Sequence, residues 1–235
     1  MNKNKLFIVP HLGLGDYLLC NGLIRKLCKK YESCSIPVRH QDRESMERMF
    51  YDVTNVFLIF VSGDDEVQFY CNIYEKNNYE ILKLGFFGKG FMSETQFFDK
   101  SFYDQAQIEY ESRWADFYCP RFENEEKMVY NKIVGDKKDY IFVHEDDSRG
   151  LIIKRSLIKS DFPIVKPVCP FSDSTINFFD YGKVLENASE IHCMDSSFAC
   201  LIDHIQQLNN KPKYIHRYLR DQNMNPYYKN NWEIV

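Results

Sequence analysis

The sequence has no long apolar run, no excess of positive charge and too short an apolar start for a secretion signal. A membrane-spanning helix needs ~20 consecutive apolar residues, and no run approaches that length. The net charge of -4 excludes a general attraction to nucleic acid or to an anionic membrane surface. We therefore expect a cytoplasmic protein with no transmembrane segment and no nucleic-acid partner.

The eight cysteines contain no Cys-x-x-Cys pair, which argues against a zinc site. They lie among apolar neighbours, as buried thiols of a cytosolic protein do. We expect reduced cysteines and no bound metal ion. The eight are Cys20, Cys28, Cys34, Cys71, Cys119, Cys169, Cys193 and Cys200.

A strand, a glycine-containing turn and an amphipathic helix open the chain. The apolar run 6–9 leads to Gly13, Gly15 and Asp16, and leucines recur at helical spacing after the turn. The pattern Gly-x-Gly-Asp lacks the third glycine and the acidic ribose ligand of a dinucleotide fingerprint, so a nicotinamide cofactor is not expected. Asp16 is either a helix N-cap or a ligand-binding residue at the carboxyl end of the first strand.

Strands and helices alternate along the chain, which predicts parallel sheets with helices on both faces. The pattern restarts near residue 124, and 235 residues suffice for two units of about 110 residues. The fold class expected is α/β, with two Rossmann-like lobes, residues 1–123 and 124–235, and a cleft between them. The predicted elements include a helix over 101–118, weak strands at 151–154 and 163–166, and a last strand at 213–218.

The segment 144–150 follows a strong strand and is rich in polar groups. His144 could act in hydrogen bonding or acid–base chemistry, and Arg149 could clamp a phosphate, with Lys154 adding positive charge. The alternative is a solvated turn in which Asp146, Asp147 and Ser148 bond to the local backbone. Both interpretations stay open, since three consecutive acids would repel a diphosphate.

Two further loops carry candidate ligand-binding groups. Asp195, Ser196 and Ser197 can cap a helix, whose exposed N–H groups also bind anions. No Gly-x-Ser-x-Gly elbow is present, which argues against a nucleophilic serine. The rigid segment from Lys166 and Pro167 to Cys169 and Pro170 could present backbone groups to a flat base, or be an ordinary proline loop. His11, beside the glycine turn, could contact a substrate.

Two stretches resemble heptosyltransferase-type glycosyltransferases of GT-B fold, a superfamily related to glycosyltransferase family 9. One is Pro-His-Leu-Gly-Leu-Gly-Asp-Tyr-Leu at 10–18. The other is the helix, strand and Asp-Ser turn at 177–198. The chain is also similar to small glycosyltransferase-like proteins of viruses and bacteria.

The resemblance implies an N-terminal lobe that binds a saccharide acceptor and a C-terminal lobe that binds a nucleotide-diphosphate sugar. It implies that Asp16 is the general base and that the donor diphosphate rests on Ser196 and Ser197, with Arg149 or Lys154 neutralising charge. No cofactor is implied beyond this co-substrate. A metal-independent, inverting sugar transfer is the expected reaction.

The chain departs from the family in several respects. It is short, it lacks the histidine that commonly follows the Asp-Ser turn, and it has no secure equivalent of the family's phosphate-binding lysine. Two alternatives therefore remain: a non-catalytic sugar- or nucleotide-binding module of the same fold, and another nucleotide-sugar-handling α/β enzyme.

Overall fold

A computed structural model of the chain describes residues 4–92, 97–168, 175–219 and 225–235. The chain divides into two compact units, Met1–Pro120 and Arg121–Val235. The division falls three residues before the predicted start of the second lobe. Seven cysteines lie within the described residues as free thiols, and six of them are buried. Cys169 lies outside the described residues.

The first unit contains four strands and five helices among its described residues. The strands are β1 (Lys5–Val9), β2 (Ser33–Arg39), β3 (Val56–Val61) and β4 (Glu80–Lys83). The helices are α1 (Leu14–Cys28), α2 (Arg43–Met49), α3 (Asp64–Lys76), α4 (Phe98–Gln105) and α5 (Ser112–Ala115).

These strands form a parallel sheet in the order β3-β2-β1-β4. Leu6 is opposite Cys34 of β2 on one side and Glu80 of β4 on the other. From β1 the chain builds the sheet outward through β2 and β3, and then returns to place β4 on the free side of β1. The strand order therefore reverses between β1 and β4.

The core of the first unit forms around β1 and α1. Residues 6–9 are almost completely buried, as expected for a strand covered on both faces, and α1 is buried along most of its circumference. Asn21 on α1 is buried and exchanges two hydrogen bonds with the backbone of Tyr118, at 3.0 and 3.1 Å. These bonds fix the segment that follows α5 against α1.

The second unit contains five strands and three helices among its described residues. The strands are β5 (Ile141–His144), β6 (Ile164–Val165), β7 (Glu190–Cys193), β8 (Lys213–Ile215) and β9 (Trp232–Ile234). The helices are α6 (Glu123–Ile133), α7 (Gly182–Asn187) and α8 (Ser197–His204).

The second sheet is also parallel, in the order β6-β5-β7-β8-β9. Its strand order reverses between β5 and β7, where His144 is opposite Cys193. Its main hydrophobic cluster joins the sheet to the surrounding helices through Tyr140, Phe142, Val184 and Ile202, all fully buried. Each unit thus has a parallel sheet and an apolar core of its own.

Three predicted elements are wrong. The helix predicted over 101–118 is two helices, α4 and α5, because the chain turns at Gln107, whose φ is +54°. The strand predicted at 151–154 is a single bridge between Leu151 and Asp146. The last strand is β9, which the sequence did not indicate, and β8 ends at Ile215 rather than at 218.

Candidate active site

In each unit, predicted ligand loops lie at the point where the strand order reverses. Ligands bind α/β sheets at such points, outside the carboxyl ends of the strands. In the first unit Leu84 N–H, just after β4, donates to the carbonyl of Val9 at 2.9 Å. In the second unit Met194 N–H, just after β7, donates to the carbonyl of His144 at 3.2 Å. Each pair of strand ends is therefore held side by side.

Asp16 lies at the first of these points, in the first turn of α1. The helix begins earlier than the sequence suggested: Gly13 is its N-cap, so the interpretation of Asp16 as the N-cap is wrong. Gly15 is the second residue of the helix. The Asp16 side chain folds back over Gly13, where a Cβ atom would lie 2.6 Å from Oδ2. Because residue 13 is a glycine, no Cβ atom occupies the space that the Asp16 carboxylate fills.

His11 lies beside Asp16 and completes this end of the sheet. Its Nδ1 is 3.6 Å from Asp16 Oδ1, and the two side chains are 13% and 23% exposed. Its Nε2 accepts a hydrogen bond of 2.9 Å from the backbone N–H of Phe86. The ring therefore joins the loop after β1 to the loop after β4.

Aromatic rings surround His11. Phe86 stacks on it with ring centroids 4.4 Å apart, and Phe102 from α4 meets it edge-on at 5.2 Å. Gly85 has φ +62°, and a Cβ there would lie 2.0 Å from His11 Nε2. Phe86 is 62% exposed, so its ring is available to solvent beside the carboxylate of Asp16.

His144 and Ser196 meet at the corresponding point of the second unit. His144 ends β5, and its Nδ1 is 2.9 Å from Ser196 Oγ. Ser196 is the N-cap of α8, where its Oγ accepts a hydrogen bond of 3.4 Å from Ala199 N–H. Phe198 packs against the His144 ring at 4.6 Å. A capped, eight-residue helix thus begins at the place predicted to hold a donor diphosphate.

Asp195 and Ser197 flank that N-cap in different ways. Ser197 is the first residue of α8 and is half-buried, whereas Asp195 is buried. Arg217, which follows β8, places its Nε 3.7 Å from Asp195 Oδ2. Its Nη2 also donates to the carbonyl of Pro226 at 3.1 Å.

The acids of the 144–150 segment are paired with cations. The side chain of Glu145 is 1% exposed, and it accepts hydrogen bonds from Arg155 and from Ile153 N–H while it pairs with Lys166. Burial by itself would raise the pKa of Glu145, but these hydrogen bonds outweigh it and hold that pKa below its usual value. Lys166 also lies 3.4 Å from Asp147. The acids therefore organise the loop instead of facing a ligand as bare charges.

The remaining predicted donor residues contact other parts of the second unit. Arg149 pairs with Asp146 and is 60% exposed. Lys154 places its ammonium 5.0 Å from the ring of Tyr218, a cation–π contact. Pro167 follows β6, and its neighbour Val168 donates to Tyr181 Oη at 2.9 Å. The predicted continuation to Cys169 and Pro170 lies outside the described residues.

The sequence analysis does not name three residues that lie at these points: Gly85, Phe86 and Arg217. Gly85 and Phe86 follow a short strand, and a glycine directly after a strand is a signal that could have been followed. The link from that segment to His11 depends on β4 pairing with β1, which the sequence does not reveal. Arg217 lies in the predicted strand 213–218, so it was assigned to the sheet.

A separate surface cavity of about 530 Å³ lies at the opposite, amino-terminal edge of the first sheet. Arg25 and Asp52 line it and form a bidentate ion pair with N–O distances of 2.8 and 2.9 Å. Arg25 also donates to two backbone carbonyls. Arg25 and Asp52 thus bind each other, and the cavity lies at the other end of the first sheet from its strand reversal.

Within the described ranges, no helix is long and apolar enough to cross a membrane. In the same part of the chain, no group of three or more His, Cys, Asp or Glu side chains is arranged to hold a metal ion.

Two Rossmann-like units, each with a parallel sheet and a polar loop cluster at the point of strand reversal, define the GT-B class of fold. The solved structures show the same architecture. The glycosyl transferase family 9 protein from Veillonella parvula DSM 2008 matches with a TM-score of 0.63 at 8% identity, over 100% of this chain and 87% of that one. E. coli ADP-heptose lps heptosyltransferase II matches with a TM-score of 0.51 at 12% identity, over 98% and 90%.

A third structure is TibC, a bacterial iron-containing dodecameric glycosyltransferase from enterotoxigenic E. coli H10407. It matches with a TM-score of 0.52 at 12% identity, over 97% of this chain and 62% of that one. No protein-family model matches the chain, and no curated protein matches its sequence. The expected α/β fold of two lobes, similar to heptosyltransferases, is confirmed as a fold.

Proposed function

We propose that the protein is a glycosyltransferase that moves a sugar from a nucleotide-diphosphate sugar to a hydroxyl of a saccharide acceptor. The observation that carries this proposal is the Asp16 carboxylate, which is partly exposed at the strand reversal of the first unit and held between His11 and Gly13. A fold shared with glycosyltransferases supports the reaction class.

Asp16 acts as the general base in this mechanism. Its carboxylate takes the proton of the acceptor hydroxyl while that oxygen attacks the anomeric carbon of the donor. The bond from the anomeric carbon to the diphosphate breaks, and the leaving oxygen keeps the electron pair. A single displacement of this kind inverts the anomeric configuration. Asp16 is left protonated and returns its proton to solvent.

The second unit binds the donor in this proposal. The start of α8 offers backbone N–H groups and a positive dipole end to the diphosphate, with Ser196 and Ser197 beside it. Stabilisation of the leaving group by such fixed dipoles requires no metal ion. A neighbour named for ADP-heptose supports the nucleotide-sugar class.

The aromatic surface beside Asp16 supports a saccharide as the acceptor. Phe86 is 62% exposed, and its ring lies on His11 next to the proposed base. An exposed aromatic ring can bury the C–H face of a sugar while the sugar hydroxyls stay hydrated. A hydroxyl of a sugar ring that packs on Phe86 would then reach Asp16.

The test is sugar transfer by Asp16→Asn, assayed with a panel of nucleotide sugars and acceptors. Without its base, the variant should keep donor affinity and lose about 100-fold or more in kcat. Asp64→Asn is the matched control, since Asp64 also lies in the first turn of a helix, α3, but away from the strand reversal. Wild-type turnover in Asp16→Asn would refute the assignment, and loss of activity in EDTA would refute metal independence.

A non-catalytic binding module is the second candidate, and one observation favours it. Arg149, Arg155 and Lys166 are all engaged by acids of the 145–147 segment, so fewer positive charges face a diphosphate than the sequence suggested. Such a module would bind a nucleotide or a sugar in the same places. It would show no transfer with any donor, and Asp16→Asn would then change nothing but binding.

A further inference from the structure

We infer that His11 is the positioning residue for the Asp16 carboxylate, an inference that rests on the proposed role of Asp16 as base. The imidazole lies beside one carboxylate oxygen, which leaves the other to receive the proton of the acceptor. It does so as a neutral ring that neither takes up nor releases a proton during transfer. His11 is therefore not itself the base.

The hydrogen bond from Phe86 assigns the ring proton. A backbone N–H can only donate, so His11 Nε2, at 2.9 Å, must be the unprotonated nitrogen. The proton of the neutral ring is then on Nδ1. That nitrogen lies 3.6 Å from Asp16 Oδ1, a distance of electrostatic contact that is longer than a hydrogen bond.

The ring cannot turn away easily, because aromatic groups enclose it. Phe86 stacks on one face with an interplanar angle of 13°, and Phe102, Phe87 and Phe91 meet it at steeper angles. The absent side chain of Gly85 makes the space for Nε2, since a Cβ there would lie 2.0 Å away. The glycine at position 85 and the surrounding aromatic rings therefore leave room for an imidazole ring at position 11.

The two oxygens of Asp16 are distinguished by this arrangement. Oδ1 is the oxygen that lies 3.6 Å from His11 Nδ1, whereas Oδ2 lies over Gly13, which has no side chain. We therefore assign the proton transfer to Oδ2. Because Nε2 stays bonded to Phe86, no onward transfer to His11 follows, and the ring serves only to orient the carboxylate.

Three substitutions of His11 test the roles of its two ring nitrogens separately. An asparagine can place an N–H where Nδ1 lies, and a glutamine can place an oxygen where Nε2 lies, while phenylalanine keeps only the packing. We expect His11→Asn to retain most of the wild-type kcat. His11→Gln and His11→Phe should lose roughly 10-fold or more in kcat with donor KM unchanged.

His40→Asn and His40→Phe are the matched controls, since His40 is exposed after β2 and stacks only loosely on Phe60. Unfolding of every variant by urea shows whether the fold is retained. The inference is overturned if His11→Phe keeps the wild-type kcat, or if a folded His11→Asn is no more active than His11→Phe. Asp16→Asn, assayed in parallel, separates this failure from failure of the base assignment, since only the latter leaves that variant fully active.

A readout without turnover keeps the inference testable if no donor is found. Long-range ¹H–¹⁵N NMR of the histidine rings in the whole protein reports which nitrogen carries the proton. We expect the Nδ1–H form for His11, with its Nδ1 signal shifted in Asp16→Asn and unchanged in Asp64→Asn. An Nε2–H form, or a His11 signal indifferent to Asp16, would overturn the inference.

Discussion

Two histidine rings are buried against each other where β7 meets β8. Nδ1 of His192 is 3.0 Å from Nε2 of His216, and Nε2 of His192 is 3.3 Å from the carboxylate of Glu190. Burial lowers the pKa of both rings, and for His216 the neighbouring His192 and Arg155 lower it further, to about 4. Both rings are therefore neutral in the folded protein at neutral pH.

This pair should make the fold sensitive to mild acid. The pKa of an unfolded histidine is about 6.5, so between pH 6.5 and 4 the unfolded chain binds a proton that folded His216 does not. Stability should be constant above that range and fall as the pH drops through it, by about 3 kcal/mol in total. Urea unfolding of the wild type at pH 7.5, 6 and 5 measures the loss.

His216→Gln should remove much of that slope, because glutamine does not titrate and can still bond to His192. His40→Gln is the control, since His40 is exposed and should leave the slope unchanged. A slope in His216→Gln equal to that of the wild type would show that the pH dependence comes from other groups.

At the scale of elements, α1 and α5 touch through their backbones. A Cβ at Gly22 of α1 would lie 2.0 Å from the carbonyl oxygen of Ser112, the first residue of α5. One turn further along α1, Lys26 donates to Ser112 Oγ at 2.8 Å. The absence of a side chain at position 22 thus allows the close contact that the neighbouring polar bonds reinforce.

Gly22→Ala should destabilise the protein although alanine is the better helix former. Its methyl group meets backbone rather than a movable side chain, so the helices must separate, and we expect a net loss of about 2 kcal/mol or more. Gly63→Ala is the control: Gly63 precedes α3 with an extended backbone, and no atom lies within 4 Å of its Cβ position. Equal unfolding midpoints for the two variants in urea would contradict the close contact.

The sequence predicted well the elements in which buried apolar residues recur in a regular pattern. Residues 6–9 form an uninterrupted apolar run because both faces of β1 are covered, and the helix after them shows its leucines at helical spacing. The helix predicted over 101–118 failed because neither glycine nor proline marks the break at Gln107. The strand β9 is three residues long, too short for a periodic pattern to show.

At the scale of the whole molecule, the candidate site was predictable as a set of loops but not as a set of contacts. The loops after β1, β5 and β7 could be chosen because strand ends bind ligands. The contact between His11 and Phe86 depends on which strand pairs with β1, and that order is set by tertiary packing. The pairing of Glu145 with Arg155 and Lys166 likewise joins segments whose spacing in the sequence carries no signal.

Donor binding should be visible as a change in the stability of the complete protein. A nucleotide at about 100 times its Kd should stabilise the fold by about 2.7 kcal/mol, which a thermal-shift measurement with UDP, GDP, ADP, dTDP, the monophosphate CMP and their sugars can detect. Asp16→Asn should show the same shift as the wild type, because the base lies in the first unit and the donor is assigned to the second.

Ser196→Ala should show a smaller shift with the same nucleotide, since it removes the side chain that caps α8 and bonds to His144. Ser189→Ala is its control, because Ser189 precedes β7 at the other end of that strand. Full shifts in Ser196→Ala would move the donor away from α8. A shift with one nucleotide but no transfer to any acceptor would favour the binding module, because a module of this fold needs the α8 site and not the base.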